Sequence, residues 1–213
     1  MRKIPSNLEN PLDDLLLDLS DKVSPTFYDL GFTPNWITTL SNITTVLVII
    51  LLLKAQYVWA AFFVLVAYFF DCLDGHFARK YKMVSEFGDY YDHISDLLKF
   101  TALIYTLYKI NSDKFYRILP FIIIAGILTF VHCGCQELYY NSDESKTLDF
   151  SRYTCPANKD DKTDIQNKIK ITRFFGFGTF NIVLVACIIY YELHVQPFGS
   201  MRSLPIVSMV LED

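Results

Sequence analysis

Four aspartates lie between two apolar segments, in the stretch of sequence from residue 71 to residue 96. Asp71 and Asp74 are three residues apart and Asp92 and Asp96 are four apart, so each pair shares one face of a helix. Carboxylates at the ends of apolar segments are costly, and two facing pairs repel each other unless a cation lies between them. Hard oxygen ligands of this kind suit Mg²⁺, Mn²⁺ or Ca²⁺ rather than Zn²⁺. The stretch therefore predicts a site for divalent cations.

Small and cationic residues separate the two aspartate pairs. Gly88 lies one turn before Asp92, where a missing side chain would let a second helix or a ligand approach closely. Any one of the aspartates alone could equally be a helix cap or a solvated charge at a membrane surface. Four carboxylates on two helix faces, with Gly75, Ala78 and Arg79 beside them, favour a functional site over that alternative.

The whole pattern resembles the signature of the CDP-alcohol phosphotransferase family. It reads Asp71-x-x-Asp74-Gly75-x-x-Ala78-Arg79, then eight residues, then Gly88-x-x-x-Asp92-x-x-x-Asp96. Members of that family are integral membrane enzymes that make phospholipids by displacing CMP from a CDP-linked donor. Every fixed position of the signature is present, which makes the resemblance specific within this stretch. Elsewhere in the chain the resemblance is only architectural.

The reaction that the resemblance implies has clear chemical needs. An alcohol is a poor nucleophile and a pyrophosphate carries several negative charges. Two Mg²⁺ or Mn²⁺ ions would neutralise the phosphates and hold the attacking and leaving oxygens in line. A carboxylate within reach of the alcohol can accept its proton.

The resemblance also implies a role for each residue of the pattern. Asp71, Asp74 and Asp92 would be the main metal ligands, and Asp96 would be both a ligand and the general base. Arg79 would pair with a donor phosphate, which suits its forked guanidinium. The expected contacts to the CDP donor are Pro34, Asn35, Trp36, Ile37, Thr38, Gly75, Ala78, Arg79, Ser85 and Gly88.

Two further residues have less specific signals. His93 could hydrogen-bond a ligand carboxylate or assist proton removal, and it could equally be a histidine on an interfacial helix surface. The run Asp92-His93-x-x-Asp96 is similar to the choline and ethanolamine branch of the family, whereas the chain length is closer to the inositol and glycerol-phosphate enzymes. Arg173 could bind a phosphorylated alcohol, although a juxtamembrane positive charge is the plainer interpretation.

Composition predicts a polytopic membrane protein of one domain. The chain has 213 residues, 52% of them hydrophobic, and several runs approach the ~20 apolar residues that a bilayer span needs. The formal net charge of −4 argues against nucleic acid as a partner. Residues 1–30 are acidic and lack the apolar core of a cleavable signal peptide. We interpret the five cysteines as reduced thiols.

The apolar runs predict an all-α bundle with five membrane spans. They lie at about 36–53, 58–78, 89–110, 115–133 and 172–192. The polar stretch 136–170 is expected to be a loop or a short interfacial helix. The residues after 192 are too short and polar for a clean span, so a sixth helix would be truncated or a half-helix. This leaves open whether the protein forms a homodimer.

The N-terminal segment, residues 1–33, is expected to precede the transmembrane domain, residues 34–213. Its leucines recur at helical spacing opposite aspartates, so it predicts an amphipathic helix at the membrane interface, ended by Pro25. Thr33 followed by Pro34 predicts the start of the first span.

The placement of lysine and arginine predicts the orientation. They are concentrated before the first span, between the second and third, and between the fourth and fifth, so the N-terminus and the aspartates should face the cytosol. The expected partners are a CDP-linked lipid or CDP-alcohol donor, a small alcohol or diacylglycerol acceptor, and the bilayer. A cation transporter would spread its acidic residues along the spans, and an inactive homologue would have lost signature residues. The clustered, intact pattern disfavours both alternatives.

Overall fold

The computed structural model describes residues 2–141 and 147–193, and that part of the chain is helical without any strand. Its helices are α1 (Pro11–Asp29), α2 (Pro34–Leu53), α3 (Tyr57–Lys80), α4 (Glu86–Ile110), α5 (Ser112–Tyr140), α6 (Lys162–Thr172) and α7 (Phe177–Leu193). Short 3-10 turns occur at Ser6–Leu8, Asp149–Thr154 and Arg173–Phe175. The predicted all-α fold is confirmed.

Four stretches of the described chain are long and apolar enough to cross a membrane. They are α2, α3, α5 and the run from α6 through α7. The remaining predicted span, α4, is as long as these helices but has too many charges to meet the same criterion. The helix carries Glu86, Asp89, Asp92 and Asp96 in its first half and Lys99 at its middle. The sixth segment considered above, after residue 192, falls almost entirely outside the described residues.

The main apolar core occupies the half of the bundle that is remote from the aspartates. It joins the end of α2 and the start of α3 to the end of α4, the start of α5 and the end of α7. Tyr191 is fully buried there, and its hydroxyl donates a hydrogen bond of 3.0 Å to the Leu107 carbonyl oxygen. This packing fixes the helices at one end and leaves the other end for polar side chains.

Helix α1 begins as an ordinary capped helix but does not end where the sequence predicts. The Asn10 side chain caps it, accepting from the Leu12 N–H, and Pro11 occupies the first position. The prediction that Pro25 ends the helix is wrong, because the helix continues to Asp29. Proline leaves the carbonyl of Asp21 without its helical donor, and Lys80 Nζ lies 2.9 Å from that carbonyl oxygen instead.

The Lys80 ammonium also lies 2.8 Å from the Asp21 carboxylate. Together with His76, it holds the pKa of Asp21 below its usual range. Lys80 and His76 belong to α3, so these contacts tie α1 to the helix that carries the first aspartate pair.

Helix α1 does not simply bury its apolar face and expose its polar face. The side chains turned towards the bundle are Asp13, Leu17, Ser20 and Ser24, and two of the leucines, Leu15 and Leu19, are exposed. The small serines let α1 approach α3 closely, while Leu15 and Leu19 point outwards. The interfacial location of this helix stays a prediction.

Two of the five cysteines are not free thiols. Cys135 and Cys155 form a disulfide, whereas Cys72, Cys133 and Cys187 are free. The turn Asp149–Thr154 folds onto the end of α5, where Gly134 leaves room for the Ser151 carbonyl. The reduced-thiol interpretation is therefore wrong for this pair, since the contact depends on tertiary packing that spacing alone does not reveal.

Candidate active site

Helices α3 and α4 bring three aspartates together at one end of the bundle. One carboxylate oxygen from each of Asp71, Asp74 and Asp92 lies within 4.8 Å of the others. Asp96 lies one turn further along α4, outside this group of three. The predicted spacing thus produces a compact acidic cluster, with Asp96 beside it.

The first turn of α4 is built to approach α2. Ser85 caps it, with the Gly88 nitrogen 3.0 Å from the Ser85 hydroxyl oxygen. A Cβ at Gly88 would lie 3.3 Å from Asn35 Oδ1, which is tighter than an ordinary contact. The missing side chain therefore allows α2 and α4 to come together beside the cluster, and Asp92 follows one turn later.

Thr38 of α2 orients one of the clustered carboxylates. Its hydroxyl lies 2.6 Å from Asp74 Oδ2, and both side chains are buried. One hydroxyl compensates only part of the cost of burying a charged carboxylate, which amounts to several kcal/mol. The sequence predicts that Thr38 contacts the CDP-linked donor. In the structure its hydroxyl contacts Asp74, a candidate metal ligand.

The cluster fits a divalent cation by the chemistry of its atoms. Asp92 Oδ1 is buried and has no hydrogen-bond partner among the described residues. It belongs to a set of hard oxygen donors, the kind that Mg²⁺ and Mn²⁺ prefer. A bound cation would compensate this oxygen and relieve the repulsion among the three carboxylates.

A lysine that the sequence analysis missed lies on the other side of the cluster. Lys99 Nζ is 2.8 Å from Asp71 Oδ1, 2.7 Å from Asp96 Oδ1 and 3.0 Å from the hydroxyl oxygen of Ser41. The sequence does contain a signal for this contact, because Lys99 is a lysine in the apolar part of a predicted span, three residues after Asp96. Lys99 supplies part of the positive charge that the aspartate pairs require.

A polar cavity of about 130 Å³ adjoins Asp74 and Asp92. Most of the predicted donor-binding residues line it, namely Pro34, Asn35, Thr38, Gly75, Ala78, Arg79, Ser85 and Gly88. Two of the predicted set do not. Trp36 is exposed, and Ile37 is buried in a small apolar cluster with Leu73.

Residues from distant parts of the chain complete this polar cavity. Lys3 lines it together with Arg79, and its ammonium is 2.7 Å from Glu137 Oε1 of α5. His93 also lines it, with Nδ1 2.7 Å from the Asp89 carbonyl oxygen and 2.8 Å from Thr147 Oγ1. No local pattern in the sequence places Lys3 at the site.

A second, larger cavity of about 320 Å³ adjoins the opposite side of the cluster. Asp71, Asp96 and Lys99 line its polar end. Much of its wall is apolar and includes Val64, Ala67, Phe100, Leu103, Phe130 and Phe180. The aspartates therefore lie between a polar and an apolar compartment.

Arg173 lies away from both cavities. Its guanidinium donates to the Asn7 carbonyl oxygen, and it is not among the residues that line either cavity. Its suggested contact with a phosphorylated acceptor stays a prediction.

Comparison with known families matches residues 32–198 to the CDP-alcohol phosphatidyltransferase family. The chain belongs to this family. Comparisons with curated proteins and with solved structures gave no match. CDP-alcohol phosphatidyltransferases transfer substituted phosphate groups, depend on metal ions and make phospholipids in membranes from a CDP-alcohol and an alcohol acceptor. With its apolar helices, the chain is an integral membrane member of this family.

Proposed function

We propose that this transferase joins an alcohol acceptor to the phosphate of a CDP-linked donor and releases CMP, using two divalent cations, Mg²⁺ or Mn²⁺. The observation that carries the proposal is the acidic cluster between two cavities, one of them lined by most of the predicted donor-binding residues. Asp71, Asp74, Asp92 and Asp96 are the proposed metal-binding residues.

The polar cavity is the proposed site of the cytidine and pyrophosphate. Arg79 and Lys3 bring positive charge to it, which suits the donor phosphates. Without a Cβ, Gly75 leaves space for the Arg79 guanidinium, since a Cβ there would lie 3.3 Å from Arg79 Nη1. These residues would bind and orient the donor against Asp74 and Asp92.

When bound, the metal ions would neutralise the donor phosphates and stabilise the charge that develops on the leaving oxygen. The residues do the remaining work. Thr38 keeps the Asp74 carboxylate in place through their 2.6 Å hydrogen bond. Asp92 presents an oxygen that no described residue satisfies.

Asp96 is the proposed general base. It would take the proton of the acceptor hydroxyl while the hydroxyl oxygen bonds to the phosphorus farther from the cytidine. The bond from that phosphorus to the bridging oxygen breaks, and CMP leaves with the bridging electron pair. Lys99, 2.7 Å from Asp96, orients this carboxylate. His93 lines the polar cavity, where it could assist proton removal only through a neighbouring group.

The proposed orientation has the site and the N-terminus on the cytosolic side, with residues 1–33 at the membrane interface and residues 34–213 forming the transmembrane domain. The positive charges of Arg79, Lys80 and Lys82, at and just after the end of α3, support it. A homodimer stays a prediction.

The function is tested by measuring CMP release from the purified chain in lipid nanodiscs. CDP-diacylglycerol and CDP-choline serve as alternative donors, each with a panel of alcohols. We expect CMP release with at least one pair in Mg²⁺ or Mn²⁺, loss of release in excess EDTA, and recovery when the metal is restored. Full release in excess EDTA would contradict the metal-dependent mechanism.

A further inference from the structure

The apolar cavity opens on the surface of the helix bundle. It lies between α2, α3, α4, α5 and α7, and its volume of about 320 Å³ falls in the range of ligand sites. Three phenylalanines in its wall, Phe100, Phe130 and Phe177, are also partly exposed. A hydrocarbon chain could thus extend from the acidic cluster to the lipid between these rings.

The charged groups of this cavity are already paired with one another. Among the described residues that line it, Lys99 is the only cation, and it contacts both Asp71 and Asp96. A phosphorylated acceptor would bring at least one further negative charge next to these carboxylates. The cavity therefore disfavours a phosphorylated alcohol.

Three uncharged polar side chains of the wall also donate their hydrogen bonds within the protein. The Thr45 hydroxyl donates to the Ser41 carbonyl, the Thr129 hydroxyl to the Phe175 carbonyl, and the Asn181 amide to the Phe177 carbonyl. A polyol would leave several of its hydroxyls without a partner in such a cavity, which is unfavourable. An alcohol with one free hydroxyl and long apolar chains fits better.

The aspartates are divided between the two cavities. Asp74 and Asp92 line the polar one, whereas Asp71 and Asp96 line the apolar one. If Asp96 accepts the proton of the acceptor, the attacking hydroxyl must come from the apolar side. The leaving CMP then lies on the polar side, across the cluster.

We propose that the acceptor is a lipid alcohol of the diacylglycerol type, with its chains in the apolar cavity and its hydroxyl at Asp96, and that the donor is a CDP-linked small alcohol. This inference rests on the proposed function. The lipid oxygen forms the new bond to the phosphorus that carries the small alcohol, Asp96 takes the lipid's proton, and CMP departs. The opposite assignment, with CDP-diacylglycerol as donor and a small alcohol as acceptor, is the competing outcome.

The test compares donor and acceptor pairs in nanodiscs of a neutral carrier lipid. We expect CMP release and a labelled phospholipid from CDP-choline or CDP-ethanolamine with dioleoylglycerol. Release only from CDP-diacylglycerol with inositol, serine or glycerol 3-phosphate would overturn the inference and leave the proposed function intact. Release from none of the pairs would contradict the proposed function, and the inference with it.

A substitution that fills the cavity tests the location of the lipid. Gly126 lines the cavity, and the nearest atom to an added Cβ is 3.9 Å away, on Phe180. Gly126→Leu should raise the KM for dioleoylglycerol roughly tenfold or more and leave the KM for the CDP donor unchanged. Ile127→Phe is the matched control, because it adds bulk to the exposed face of the same helix.

Asn181→Phe fills the same cavity from α7. This variant replaces Gly126→Leu in the test if Gly126→Leu does not fold. It should give the same selective increase. An unchanged KM for dioleoylglycerol in the folded variant, or an equal increase for the donor, would overturn the placement of the lipid.

Discussion

Lys99 divides the four aspartates into two functional groups. Its ammonium contacts Asp71 and Asp96, while the buried carboxylate of Asp74 and the partly buried carboxylate of Asp92 have no ion pair with it. Burying an uncompensated carboxylate costs several kcal/mol, so the second group depends most on a bound cation. The first group has a protein cation on one side and the apolar cavity beside it. Lys99 is therefore a positioning residue for Asp96.

Replacing Lys99 tests this positioning role. Lys99→Met keeps much of the apolar stem and removes the charge, so Asp71 and Asp96 repel each other and Asp96 loses its orientation. We expect kcat to fall about 10–100-fold, as for other groups that orient metal-bound carboxylates. Lys99→Arg should recover part of the loss, which a purely structural defect would not predict. The kcat of both variants at saturating donor is the measurement, and an unchanged kcat in Lys99→Met would contradict the role.

Asp96 and Asp71 should differ when each is changed to asparagine. Asp96→Asn removes the base but keeps one ligand oxygen, so we expect turnover to fall by ~10²–10⁴ with a modest change in metal affinity. Asp71→Asn should weaken metal and donor binding as well as rate. Donor titrations at several Mg²⁺ concentrations measure both effects.

Asp113→Asn is the control for these two variants. Asp113 is exposed in the first turn of α5, at the end of the bundle that is remote from the acidic cluster. It should behave like the parent protein. Rescue of Asp96→Asn by high Mg²⁺, without rescue of Asp71→Asn, would show that the two roles are assigned the wrong way round.

At the scale of elements, the start of α1 and the start of α7 form one polar joint. The Asn10 amide donates to the Arg173 carbonyl at 2.6 Å and to Thr179 Oγ1 at 2.8 Å. Asp13 accepts from the Tyr68 hydroxyl at 2.5 Å, and burial raises the pKa of Asp13 to about 6. Gly178 lies at the centre of this joint, where a Cβ would collide with Asn10, Leu12 and Asp13. The joint holds the N-terminal segment, including Lys3, over the site.

Gly178→Ala should therefore destabilise the protein. The added methyl group must displace several side chains that are held by hydrogen bonds, which typically costs about 1–3 kcal/mol. Thermal unfolding in detergent measures the loss. Gly126→Ala is the matched control, since its Cβ would meet only Phe180, at an ordinary contact distance of 3.9 Å. Equal stability of the two variants would contradict the close packing at this joint.

At the scale of the whole molecule, two features indicate opposite environments for the active-site end. Arg79 and Lys80 in the last turn of α3, with Lys82 just after it, favour the cytosol. The disulfide between Cys135 and Cys155 is tied to the same end through α5, and disulfides are rare in the reducing cytosol. A measurement of the side on which this end lies distinguishes the two environments.

Cysteine labelling in sealed vesicles provides that measurement. Lys82 is exposed between α3 and α4, so Lys82→Cys should react with an impermeant thiol reagent only from the cytosolic face. Gln56→Cys is the control, because Gln56 is exposed in the turn at the opposite end of the bundle. It should show the reverse accessibility. Labelling of Lys82→Cys from the lumenal or external face would overturn the proposed orientation and agree with the disulfide.

The local sequence was sufficient for the features that depend on spacing along one helix. Helical periodicity places Asp71 with Asp74 and Asp92 with Asp96, whatever surrounds them. The cap at Thr33 and Pro34 is formed as predicted. Apolar length alone predicted the four stretches that are apolar enough to cross a membrane, although not the charged character of α4, and the fixed positions of the signature identified the family. These properties depend on residues within one helical turn or on the length of an apolar run, and both can be read from the sequence.

Tertiary structure alone decided which faces meet. Lys99 contacts Asp71 because these faces of α3 and α4 are turned towards each other. Lys3 lines the polar cavity because α1 is held against α7. Pro25 is accommodated inside a helix because Lys80, from another helix, satisfies the carbonyl that proline leaves free. In each case the deciding partner is remote in the sequence, and its distance is set by the packing of whole helices, which local periodicity does not contain.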